Sequence, residues 1–154
     1  MKTLPALCSA VVGFILVAVP AASGQVVRKV LIIGVDGMRP DAMLAANTPT
    51  FDNLIAHGAF STQCSTEDIT ISGPGWSSIL TGVHRNKHGV VDNSFAAPNY
   101  GTYPHFFQRL QETCDAATVS IAQWAPINTQ ICQNNADATL SGVPGADVAA
   151  ACIA

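Results

Sequence analysis

Apolar positions run without interruption from Val30 to Ile33 and resume at Val35, behind the basic pair Arg28 and Lys29. That density of Val and Ile predicts a strand over residues 28–35 buried on both faces, as in a parallel sheet. Thr48 followed by Pro49 predicts a helix start, with a hydroxyl to cap and a proline at the first helical position. Phe51, Leu54 and Ile55 then share a face before Gly58 closes the helix. Residues 59–64 read as a short second strand. The next helix is expected over residues 74–80, with Gly82 just past its end and Ser72 at its N-terminal edge. Residues 81–103 lack periodicity and read as a long loop. Pro104 opens a helix carrying Phe106, Phe107 and Leu110, and residues 117–122 alternate as a strand. Past Trp124 the pattern weakens: Asn134, Asn135, Gly142, Pro144 and Gly145 are turn signals, and Asp147 begins a short Ala-rich run. This alternation predicts an α/β fold with a largely parallel sheet flanked by helices, and ligands gathered at the carboxyl ends of its strands.

Composition narrows the setting. Residues 1–24 read as a signal peptide: Lys2 supplies the positive start, an apolar stretch follows, and Ala22, Ser23 and Gly24 offer a cleavage site. Pro20 and the single flanking charge favour cleavage over a retained anchor, so no stable membrane span is expected and the mature chain, residues 25–154, would be secreted or periplasmic. That length suits one domain. A net charge of −3 without a basic run disfavours nucleic acid as a bulk partner. Cys64, Cys114, Cys132 and Cys152 remain after cleavage, and an even number in an exported chain predicts two disulfides of undetermined connectivity.

Asp36 leaves the first strand beside Gly37, which allows a sharp turn next to a ligand. A turn-forming role fits it equally well. Arg39 and Asp41 read as a local pair at a helix entrance. Ser72 is the candidate nucleophile, and a serine hydroxyl requires a base, a metal or a helix N-terminus to become one; the alternative is a helix cap. Gly73, Pro74 and Gly75 suit a helix entrance whose amides could hold an anionic ester. His84 and His88 have a spacing that could bind a metal, but Lys87 lies between them and a structural role is favoured. Asn93 alone reads as a turn residue. Trp76, Trp124 and the phenylalanines read as core.

Taken together, residues 30–37, Asn47-Thr48-Pro49-Thr50, residues 71–93 with Thr81-Gly82, and His88-Gly89-Val90-Val91-Asp92-Asn93 resemble the type I phosphodiesterase/nucleotide pyrophosphatase family of the alkaline phosphatase superfamily. The resemblance implies an alkaline phosphatase-like fold, two divalent metal ions, expected to be zinc, and a small-molecule phosphate ester as substrate. It assigns Asp36 to the metal, Ser72 to both nucleophile and metal ligand, and Asn93 with the amide region of Gly73 to the phosphoryl oxygens. It also implies a phosphoseryl intermediate. Further Asp and His ligands belong to the family pattern, and after Asn93 the chain holds one histidine, His105, and no Asp-His pair. The chain is therefore expected to be the amino-terminal portion of a larger hydrolase, inactive by itself. A sulfatase places its nucleophile in a C/S-x-P-x-R pattern, where this sequence has Trp76 in place of arginine and Gly37 in place of a second acidic residue. An exported binding module without catalysis is the remaining alternative.

Overall fold

A computed structural model describes residues 29–114 and 116–151. The expected signal peptide, Arg28 and Cys152 lie outside the described residues. The chain divides into two compact units between Phe51 and Asp52.

In the first unit the apolar run forms no strand. Val30, Leu31, Ile32 and Ile33 are 61–85% exposed and make no ladder. A strand that is apolar on both faces is stabilised only by neighbours that take up its backbone groups and cover its side chains. The sheet of the described residues has two strands, both elsewhere. The turn at Asp36 and Gly37 does form, and Gly37 takes the left-handed conformation at φ 68°. Helix α1, Pro40–Ala45, follows with Pro40 at its start and Arg39 at its cap position. Arg39 pairs with Asp41 across the first turn, as the sequence suggested. The guanidinium holds the Asp41 carboxyl below its usual range. Both side chains are exposed, so this pair orients the turn more than it stabilises it. Helix α2, Pro49–His57, crosses the boundary at Phe51 and Asp52; it begins at the expected proline and ends before Gly58, yet it buries none of its residues. Its apolar positions Phe51 and Leu54 face solvent.

The second unit carries the core. Helix α3, Ser72–Thr81, ends on Gly82 in the left-handed conformation at φ 71°, with its N–H returned to Ser78 O. The expected long loop contains one helical turn, α4, Arg85–His88, closed by Gly89 at φ 77°. Helix α5, Phe106–Thr113, starts two residues later than Pro104, because His105 serves as its cap and accepts from Gln108 N. Strand β1, Val119–Ala122, pairs in parallel with β2, Ala138–Ser141, in the register Val119 to Ala138. Leu80, Val90, Tyr100, Phe107, Ile131, Cys132 and Ala136 form the core, with Trp76, Phe95 and Phe106 packed against it. The reading as core residues holds for Trp76, Phe95, Phe106 and Phe107 and fails for Phe51 and Phe60, which are exposed.

The α/β class is therefore observed, but the largely parallel sheet is reduced to two strands among the described residues. Residues 59–64 are exposed and form no strand. The crossover between β1 and β2 passes through a π-helical turn, Ile127–Ile131, closed by Cys132 N donating to Ile127 O at 2.9 Å. Asn128 on that turn is fully buried and holds both strands. Its amide donates to Leu140 O and Ser141 Oγ, each at 3.0 Å, while its Oδ1 accepts from Ser120 Oγ at 2.5 Å. Cys64, Cys114 and Cys132 are free thiols, so the expectation of two disulfides fails. Cys64 and Cys114 are exposed and Cys132 is buried in the core. Burial pushes the Cys132 thiol up to about 12.

Candidate active site

The first turn of α3 has a sequence unfavourable to helix. Gly73 and Gly75 each cost about 1 kcal/mol relative to alanine in a helix interior, and Pro74 contributes no N–H. Ile71, extended at φ −112°, occupies the cap position and offers no side-chain bond. Ser72 is the first helical residue, half-buried, and does not serve as the helix cap. Its hydroxyl is thus not committed to the helix end.

What holds this turn comes from outside it. Gly73 N–H donates to Asn93 Oδ1 at 2.7 Å, across 20 residues of sequence. An N–H can only donate, which fixes the amide orientation: the acceptor is the oxygen, and Asn93 Nδ2 keeps its two donors for other partners. Gly73 is required for this approach. A Cβ there would lie 2.7 Å from Asp92 O and 3.0 Å from Asn93 Oδ1, too close for any other residue without displacement. Asp92 itself forms a local turn, its carboxylate accepting from Ser94 N at 2.8 Å and from the Ser94 hydroxyl. Those bonds hold the Asp92 carboxyl below its usual range.

The amides expected to be free at this helix entrance are used within the protein. Gly73 N–H goes to Asn93, Pro74 has none, and Gly75 N–H goes to Ile71 O at 3.0 Å. The Asn93 side-chain amide, with both its hydrogens free of the bond to Gly73, is a donor presented here.

Two of the four histidines, buried His88 and exposed His84, belong to a separate network. His88 is fully enclosed, and its Nδ1 accepts from Val90 N–H at 3.1 Å. Its proton consequently sits on Nε2 and is donated to Ser78 Oγ at 2.9 Å. Ser78 in turn donates to Glu67 Oε1, which also accepts from His84 Nδ1 at 3.1 Å and Arg85 N at 3.3 Å. Hydrogen bonding, first from Ser78 and then from His84, holds the Glu67 carboxyl below its usual range, while desolvation lowers His88. Both nitrogens of His88 are thereby occupied, which supports the structural reading of the His84 and His88 pair. Serine, histidine and glutamate occur here together, but the glutamate orients the serine and not the histidine, so no general base is produced.

The structure thus joins Gly73 and Asn93 beside Ser72. Asp36 stands in the other unit, exposed, at the turn that Gly37 allows. Among the described residues no three His, Cys, Asp or Glu side chains gather to hold a metal. Ser77, Ser78, Glu67 and Tyr100 were not singled out by sequence reasoning. Their bonds link distant segments, and no period or spacing signals them.

The description of the family of type I phosphodiesterases/nucleotide pyrophosphatases matches residues 30–152. Bis(5′-adenosyl)-triphosphatase ENPP4 from Bos taurus is 29% identical over 120 residues, covering 78% of this chain and 25% of that protein. Ectonucleotide pyrophosphatase/phosphodiesterase family member 5 from Homo sapiens is 31% identical over 71 residues, 46% of this chain and 15% of that protein. The Mus musculus ENPP4 is 32% identical over 66 residues, 43% of this chain and 14% of that protein. The chain therefore spans a quarter or less of the length of these relatives. No solved structure gives a significant match. With the match running from the apolar segment before Asp36 through α3, Asn93 and the two-stranded sheet, the chain belongs to the type I phosphodiesterase/nucleotide pyrophosphatase family.

Proposed function

We propose that this chain contributes the nucleophile and part of the phosphoryl-binding site of a metal-dependent phosphate ester hydrolase with an alkaline phosphatase-like fold. The observation that carries the reading is the 2.7 Å bond between Gly73 N and Asn93 Oδ1, which brings a free amide donor to the turn headed by Ser72. Ser72 Oγ attacks phosphorus and gives up its proton, the P–O bond to the ester group breaks as the bond to Ser72 forms, and the departing ester oxygen carries that proton away. Water then cleaves the phosphoseryl bond. The Asn93 amide donates to a nonbridging oxygen whose charge grows in the transition state. Gly73 permits the close approach of the two segments.

Asp36 and Ser72 are the proposed donors to the metal centre, which we take to be two zinc ions. The described residues hold no set of three ionisable ligands, so they do not complete such a centre. A divalent ion would supply positive charge at the attacking and departing oxygens. The substrate is proposed to be a small phosphodiester or pyrophosphate. The relatives, a bis(5′-adenosyl)-triphosphatase and an ectonucleotide pyrophosphatase/phosphodiesterase, support nucleotide esters and an exported location. No helix among the described residues is long and apolar enough to cross a membrane. Trp76, where a sulfatase would place arginine, packs against the core and offers no cation to sulfate.

Turnover of nitrophenyl phosphodiester, monoester and sulfate by the full-length enzyme with added zinc tests the class. The diester should dominate, and dominant sulfate turnover would overturn it. Asp36→Asn should lower bound zinc, whereas unchanged zinc content would remove Asp36 from the site.

A further inference from the structure

The turn that carries Ser72 is gripped at a second point. Ser77 Oγ donates to Gly73 O at 2.6 Å and lies 2.7 Å from Tyr100 Oη. Since the single serine hydrogen is directed to Gly73 O, the phenol must be the donor to Ser77. Ser77 and Tyr100 are 0% and 4% exposed, so water does not compete for these bonds. Gly73 is therefore held at both of its backbone groups, its N–H by Asn93 and its C=O by Ser77 backed by Tyr100. Asn93 and Tyr100 belong to the same connection between α4 and α5. That connection clamps a first turn whose own residues favour helix poorly.

We propose that Tyr100 is a positioning residue of the hydrolytic site: through Ser77 it fixes the Gly73 peptide, and with it the relative placement of Ser72 and the Asn93 amide. This rests on the assignment of Ser72 as nucleophile and adds a residue that touches no substrate. The consequence is kinetic as well as structural, because a nucleophile displaced by a fraction of an ångström loses its alignment while the binding groups remain.

The test uses wild type against Tyr100→Phe, with Ile131→Val as a core variant that loses packing but removes none of the clamp's hydrogen bonds. Amide hydrogen exchange at Gly73 and the Asn93 side-chain resonances report the clamp without reference to activity. Tyr100→Phe should speed Gly73 exchange about tenfold and shift the Asn93 resonances. In the full-length enzyme, with nitrophenyl phosphodiester and zinc, it should lower kcat about tenfold and leave KM within about twofold. Ile131→Val should lower Tm and change none of these. Unaltered Gly73 exchange in Tyr100→Phe overturns the proposal, as does a kcat loss reproduced by Ile131→Val. If Ser72→Ala retains wild-type turnover, the nucleophile assignment fails separately, and Gly73 exchange alone decides whether the clamp exists.

Discussion

Replacing Gly73 by alanine is the sharpest perturbation of the site. The added methyl would stand 2.7 Å from Asp92 O, 3.0 Å from Asn93 Oδ1 and 3.3 Å from Asp92 C. The nearest obstacle is backbone, which cannot swing aside as a side-chain tip can. Overpacking of this kind costs about 1–3 kcal/mol, and separation of the segments also weakens the Gly73 to Asn93 bond, worth about 1 kcal/mol. Against this, alanine improves helix propensity by about 1 kcal/mol. The balance is a loss of about 1–3 kcal/mol. Gly75 supplies the control, because a Cβ there meets nothing within 4 Å and only the propensity gain applies. Urea unfolding of the two variants should therefore move in opposite directions, Gly73→Ala down and Gly75→Ala level or up. The Asn93 side-chain resonances should shift in Gly73→Ala alone. Equal stability of the two variants would refute the close approach on which the site is built.

Three further outcomes follow from the buried groups. His88 is held below its usual 6.5 chiefly by desolvation, so the unfolded chain binds its proton first as pH falls; stability should decline from about pH 6.5 downward, as measured by urea midpoints, and His88→Gln should flatten that decline. Asn128→Ala leaves the Leu140 carbonyl and the Ser120 hydroxyl without their partner and should cost about 2–3 kcal/mol in urea unfolding, with faster amide exchange in β2. Iodoacetamide followed by peptide mass analysis should modify Cys64 and Cys114 in the native protein and reach Cys132 only in denaturant, because burial keeps its thiol protonated and enclosed.

Local chemistry made part of this structure legible. Thr48 and Pro49 marked the start of α2, Gly82 the end of α3, and the Phe106, Phe107 and Leu110 face located α5 within two residues. Each signal acts within one turn of helix. The expectations that failed concern pairing. Val30 to Val35 has strand composition but no strand beside it, and β2 could not be read because Ala138 to Ser141 is exposed throughout and takes its place from Asn128 and the ladder. Disulfides were inferred from parity and export, neither of which brings two sulfurs together. At the site, motif resemblance singled out Ser72, Gly73 and Asn93. The joining of Gly73 to Asn93, and the support of Tyr100 behind Ser77, are bonds across 20 and 23 residues that no local pattern encodes.

The central claim is that the hydroxyl at the head of α3 forms a covalent bond to phosphorus. Acid quenching of the zinc-supplemented full-length enzyme during exposure to nitrophenyl phosphodiester, followed by peptide mass analysis, tests it directly. The account predicts phosphate on Ser72 and none in Ser72→Ala. An adduct on another residue, or no adduct at Ser72, would contradict it.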